Sequence, residues 1–149
     1  VAQEEEPQEL LAGEVPDVYQ TRRILQQFAE EERRILLLAW MRRQIVGFGV
    51  LYPAFPYANK RHRGQIAVSV LPGHRRIGVG TMLVQQLVHC AAKWEYEQIE
   101  LELRRDNAAA AALYRQRGFS TRLVREQGYK LPQGYADALV MERRLDYLR

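Results

Sequence analysis

Three features of this 149-residue sequence predict a mixed fold of the α/β class (α+β type), built on a mostly antiparallel central sheet. Short apolar or alternating runs at 35–41, 45–52, 65–71, 97–103, 119–126 and 138–145 have the length and period of strands. Two stretches, 78–93 and 107–117, switch to the 3.6-residue period of helices. The strand–helix–strand order across 65–103 needs a crossover, which argues for at least one parallel pair inside the sheet. No internal repeat, low-complexity tract or linker divides the chain, so 1–149 is expected to be one domain.

Each element has a local reason. Residues 4–12 suggest a short helix ended near Gly13, and Asp17 with Gln20 resembles a capping box opening a second one. In that second helix Val18, Thr21, Ile24, Leu25 and Phe28 share a face. ILLLAWM and IVGFGVLY, joined by a short polar RRQ, read as a hairpin. PAFPYANKRHRG (53–64) carries two prolines, an asparagine and a glycine, and is expected to be a loop. In QIAVSVL, Ile66, Val68 and Val70 alternate on one side before Pro72 and Gly73 stop the strand. Val79, Leu83, Leu87, Cys90 and Ala91 then form a helical stripe. In EQIELEL, Ile99, Leu101 and Leu103 should face inward, leaving Glu100 and Glu102 on the opposite face. The alanine-rich helix 107–117 can end at Gly118. FSTRLVRE and ALVMERRL are read as final strands around a loop, QGYKLPQGYAD (127–137).

Composition excludes several classes. The apolar fraction of 47% and charged fraction of 27% are those of an ordinary globular protein long enough to bury a core. The longest apolar runs are far too short to cross a bilayer, and no charged-then-apolar leader is visible at the start. A single cysteine, Cys90, excludes an internal disulfide framework and agrees with a reducing compartment, so a cytoplasmic protein without a membrane partner is expected. The net charge of +4 comes from dispersed arginines, without the basic block that marks a nucleic-acid arm. His62, His74 and His89 have no metal-ligand spacing, and no metal is expected.

The informative stretch is RRIGVG at 75–80, between a strand and a helix. Gly78 and Gly80 permit a tight turn, and they also let an anion approach the exposed N–H groups and positive dipole of the helix start. Either use fits the hexapeptide alone.

Taken together, VSVLPGHRRIGVGTML and LELRRDNAAAAALYRQRGF resemble the two signatures of the GNAT superfamily of N-acetyltransferases, in the right order and on the predicted elements. Arg75, Gly78, Gly80, Asn107, Ala110, Leu113, Tyr114, Gly118 and Phe119 fall on the pattern, and the clear match covers 64–145. The resemblance implies a parallel strand pair splayed at an acyl-CoA site, with helices on both faces of the sheet. It also implies acetyl-CoA as cosubstrate. The backbone at Gly78 and Gly80, with Arg75, Arg76 and Thr81 nearby, would hold the pyrophosphate, and Val68, Ser69 and Val70 would offer backbone groups to the pantetheine arm. Arg76 and Ile77 stand where a glycine and a basic residue are common in the family, changes that backbone binding tolerates.

Asn107 is a good helix N-cap in its own right, and the resemblance adds a cofactor contact. Tyr114 suits a core position, while the resemblance makes it the acid that protonates the leaving thiolate. Gln65 stands at a position where many relatives carry glutamate and cannot act as a base. LELRRDN is similar to a segment of bacterial ribosomal-protein N-terminal acetyltransferases in which the matching glutamate, here Glu102, is the base. A solvated strand-face glutamate is the plain alternative for Glu102, and Glu100 and Asp137 are fallback bases.

The expected acceptor is a small-molecule amine held by the 13–20 turn and the 53–64 and 127–137 loops. Those segments carry Tyr19, Phe55, Tyr57, Tyr129 and Tyr135, with Lys60, Arg61, His62 and Arg63. The ending GYKLPQGYADALVME is similar to that of acetyltransferases of free amino acids; a peptide N-terminus is the close alternative. A noncatalytic acetyl-CoA-binding module is the rival from another class, with nucleic-acid binding ranked last, and a homodimer is compatible with all of these.

Overall fold

A computed structural model describes residues 33–75 and 77–145. Six strands run β1 Ile35–Met41, β2 Gln44–Pro53, β3 Arg63–Val70, β4 Gln98–Arg104, β5 Ser120–Leu131 and β6 Gly134–Arg144. Two helices, α1 Val79–Lys93 and α2 Ala108–Gln116, follow β3 and β4. The sheet order is β1-β2-β3-β4-β6-β5, antiparallel throughout except for β3–β4, as the crossover logic requires. The helices expected at 4–12 and from Asp17 lie outside the described residues.

One face of the sheet carries the core. Register pairs place Leu51 beside Ile66, Gly49 beside Val68, and Leu101 beside Met141, all on the side covered by α1. Val79, Leu83 and Leu87 of α1 lie over Gly47 and Gly49, whose missing side chains let the helix approach closely. Leu51, Val84, Leu87, Ile99, Leu103 and Met141 are completely buried here, so the expected inward residues of β4 and stripe of α1 are found in one cluster. Helix α2 packs beside α1, Gly80 facing Leu113, and contributes Ala111 and Tyr114 to the same core. On the other face, alternation leaves Gln65, Glu100, Glu102, Glu142 and Arg125.

The ends of α2 follow from two residues. The Asn107 side chain accepts a hydrogen bond from the Ala110 N–H at 3.1 Å, satisfying an orphan donor of the first turn. Gly118, at φ 89°, ends the helix while the Phe119 N–H donates to the Tyr114 carbonyl at 3.0 Å. Asn107→Ala is expected to cost about 0.5–2 kcal/mol of stability, checked by denaturant unfolding at unchanged m-value.

The expected loop at 127–137 is corrected by the structure: β5 and β6 run through it and leave only Pro132 and Gln133 as a turn. Gln127 and Gly128 look like strand breakers, but they form a bulge. Arg125 pairs with Ala138 and Tyr129 with Ala136, so three residues oppose Asp137 alone. Gln127 takes a positive φ of 52°, and its N–H donates to Asp137 Oδ1 at 3.0 Å. A bulge bends the strand and resumes the ladder instead of ending it.

The feature that positions the site is a split in the sheet. Strands β3 and β4 pair only over Arg63–Gln65 with Gln98–Glu100. Beyond that, β3 continues against β2 as far as Val70, and β4 against β6 as far as Arg104. The two strands therefore keep outer partners while parting from each other.

Candidate active site

A cavity of about 340 Å³ opens beside the part of β3 that has left β4, between that strand and α2. Val68, Ser69 and Val70 of β3 form one wall; Asn107, Ala109, Ala110, Leu113 and Tyr114 of α2 form the other; Arg75, Gly78, Gly80 and Thr81 close one end. Of the ten residues expected to bind the cosubstrate, nine line this cavity, and Arg76 lies outside the described residues. The volume is in the range of small-molecule sites, about 300–1,000 Å³.

The start of α1 is built to receive an anion. Gly78 is the N-cap in the left-handed conformation, φ 89°, and no side chain caps the helix. The first helical hydrogen bond runs from the Met82 N–H to the Gly78 carbonyl at 3.0 Å. The N–H groups of Val79, Gly80 and Thr81 thus precede any acceptor within the helix, at its positive dipole end. Arg75 folds back across β3, its Nε donating to the Val70 carbonyl at 3.3 Å, and its side chain remains exposed. Gly80 sits in a close contact: a Cβ there would stand 3.3 Å from Leu113 Cδ2, which would have to give by a few tenths of an ångström, and 3.7 Å from Val70 Cγ2. The two glycines therefore do different work, one setting the turn and the other admitting α2.

Tyr114 is buried, with its ring edge-on to Phe119 at 5.6 Å between centroids. It lines the cavity from the helical side of the sheet, and Glu102 lies on β4 on the opposite face, away from the lining residues. The acid and base candidates thus lie on opposite faces of the sheet. Among the described residues, the cation within ion-pair range of Glu102 is Arg125, Nε to Oε1 at 4.0 Å. The fallback carboxylates are held more firmly: Glu100 by Arg63 at 3.0 Å, and Asp137 by Arg105 at 3.4 Å and the Gln127 amide. Gln65 sits beside Glu100 at the last paired position before the strands part.

The expected acceptor residues are not gathered in one place. Lys60 and Arg63 lie over the Phe55 ring, at 4.2 and 5.1 Å, and Arg63 also holds Glu100, so this loop packs on itself. Tyr129 is buried within β5, a correction to its expected loop position, whereas Tyr57 and Tyr135 are exposed. Tyr19 lies outside the described residues. Cys90 is half-buried on α1, and burial pushes its thiol above the ordinary range, which disfavours the thiolate. Sequence reasoning missed Ala109 as a lining residue and Arg125 as a neighbour of Glu102. The first is signalled only by its place in the first turn of α2; the second depends on strand order.

A sequence model of the Acetyltransferase (GNAT) family matches residues 3–119. The [Ribosomal protein bS18]-alanine N-acetyltransferase of Salmonella typhimurium is 36% identical over 74 residues, and that match spans 50% of each chain, about half the length of the relative. The aminoglycoside N(6')-acetyltransferase type 1 of Acinetobacter haemolyticus is 28% identical over 99 residues, 64% of this chain and 68% of the relative. The crystal structure of the ribosomal-protein-alanine N-acetyltransferase from Brucella melitensis superposes with a TM-score of 0.82 at 24% identity, over 89% of this chain and 81% of that one. That likeness establishes the shared architecture, including a mixed sheet with one parallel pair. With the family match extending over most of the sequence and both signatures on the walls of one cavity, the chain belongs to the Acetyltransferase (GNAT) family.

Proposed function

We propose that the protein transfers an acetyl group from acetyl-CoA to the primary amine of a small molecule, such as an amino acid, by direct attack on the thioester. The observation that carries this reading is the cavity in which an uncapped helix N-terminus, a parted strand edge and Tyr114 converge. The donor set suits the cosubstrate. Backbone N–H groups at Val79–Thr81 and the Arg75 side chain match a pyrophosphate, and the β3 edge at Val68–Val70 matches the amides of a narrow arm. Asn107, Ala110 and Leu113 would confine that arm, leading towards Tyr114. When bound, acetyl-CoA supplies an electrophilic thioester carbon.

The chain's own residues then handle protons. Glu102 attracts the acceptor ammonium and takes its proton, directly or through water, leaving a nucleophilic amine. A nitrogen–carbon bond forms, the carbon–sulfur bond breaks, Tyr114 gives its phenolic proton to the departing sulfur, and the second proton that the nitrogen sheds on becoming an amide passes through water to the Tyr114 phenolate. Solvent exchange returns Glu102 to its starting protonation state.

A thiol-release assay with acetyl-CoA and a panel of amino acids, polyamines and alanine-initiated peptides tests this. Release with small amines is the expected result. Release with peptides alone would move the acceptor to a protein N-terminus, the reading that the 36% identity to ribosomal-protein acetyltransferases favours. Cofactor binding without release from any amine would indicate a noncatalytic module. Gly80→Val presses new methyl groups onto Leu113 and Val70 and narrows the cavity. It is expected to weaken acetyl-CoA binding at least tenfold in calorimetry while the chain still folds, at a stability cost of about 1–3 kcal/mol.

A further inference from the structure

We infer that the acceptor carries a carboxylate beside its amine, as a free α-amino acid does, and that Arg125 recognises this carboxylate. The inference rests on the acetyl-transfer reading with Glu102 as base. Both residues lie on the sheet face away from α1, with β6 between their strands. In register, Glu102 stands opposite Val140 and Arg125 opposite Ala138, so the arginine side chain crosses short residues on its way to the glutamate. They face one another at 4.0 Å, an ion-pair separation too long for a hydrogen bond. Most neighbouring charges are held closer, Arg63 to Glu100 at 3.0 Å, Arg104 to Asp106 at 2.7 Å and Arg144 to Glu142 at 3.6 Å; Arg122 stands 3.9 Å from Glu142, but that glutamate already has Arg144. Glu102 and Arg125 are thus a facing pair of opposite charges that remains open.

An α-amino acid is the complementary dipole. Its ammonium and carboxylate are separated by one carbon, so the ammonium can meet Glu102 while the carboxylate takes the arginine. A planar guanidinium binds a carboxylate through two parallel hydrogen bonds, which a neutral amide carbonyl cannot reproduce. Leu123, opposite Val140 on the same face and 47% exposed, offers an apolar surface for the acceptor's side chain. A peptide N-terminus or an amino amide would satisfy Glu102 and leave Arg125 without its anion.

The test measures kcat and KM for a panel of free L-amino acids and their α-amides, on the wild type, Arg125→Gln and Arg125→Lys. The wild type is expected to prefer the best amino acid over its amide by about 10–100-fold in kcat/KM, the worth of a charged hydrogen-bonded pair. Arg125→Gln is expected to bring that ratio to about one by raising KM for the acid, with kcat changed less than about threefold; Arg125→Lys should restore part of the preference. Equal use of acids and amides by the wild type overturns the inference and leaves acetyl transfer standing, as does an equal loss on both in Arg125→Gln. Bound acetyl-CoA with no thiol released from any acceptor, peptides included, overturns the acetyl-transfer reading and this inference with it.

Discussion

Tyr114→Phe is expected to lower turnover by roughly 10²–10⁴-fold, the range for a lost general acid, while cofactor affinity and fold persist. The substitution removes one oxygen and keeps the ring that packs edge-on to Phe119 in the buried core. Loss of the hydroxyl's own hydrogen bonding should cost only about 0.5–1.5 kcal/mol, a drop in melting temperature of roughly 1–6 °C for a chain of this size. A purely structural tyrosine gives the opposite pattern: the same loss of stability, with kcat per folded molecule intact. Measuring kcat and melting temperature on one sample separates the roles, and an unchanged kcat assigns Tyr114 to packing. The position of the side chain makes the test sharp, because it lines the cavity and belongs to the core at once.

Glu102→Gln should lower kcat at neutral pH by about 10²–10⁴-fold and recover in part as pH rises. The sign follows from the acceptor. The amine of a free amino acid, whose ammonium is stabilised by its own carboxylate, is almost entirely ammonium at pH 7 and needs a base, but above its pKa it is already a nucleophile. The variant should therefore climb with pH after the wild type has levelled off. Stability should hardly change, because Glu102 makes one long contact to an exposed arginine, a class of pair worth about 0–1 kcal/mol. A wild-type rate across the whole pH range would remove Glu102 from the mechanism. Glu100 and Asp137 are already tied to Arg63 and to Arg105 and Gln127, so water would then be the stronger candidate.

Features governed by local chemistry were legible in the sequence. The alternation of Ile99, Leu101 and Leu103 named the buried face of β4 because a strand has only two faces. Asn107 and Gly118 marked the ends of α2 because capping involves neighbours three or four positions away. Nine of the cavity's lining residues were legible through the family resemblance of two short motifs, each a strand-to-helix junction. The hairpin at 127–137 was not, since Gln127 and Gly128 break a strand or bulge it depending on whether Asp137 of the partner strand is there to accept an N–H. KRHR was ambiguous in the same way, and Phe55 and Glu100 decide what its cations do.

Among the described residues, the sequence by itself therefore determined the order of strands and helices, the parallel pair and the glycine-led turn at the start of α1. Only the tertiary structure decided that the splayed pair, implied by the family resemblance, parts after Gln65 and Glu100, that Leu113 lies against Gly80, and that Arg125 faces Glu102 across β6. Periodicity and capping are set within a few residues along the chain. A gap between strands, and a charge pair spanning a third, depend on register between segments far apart in sequence, which no local pattern encodes.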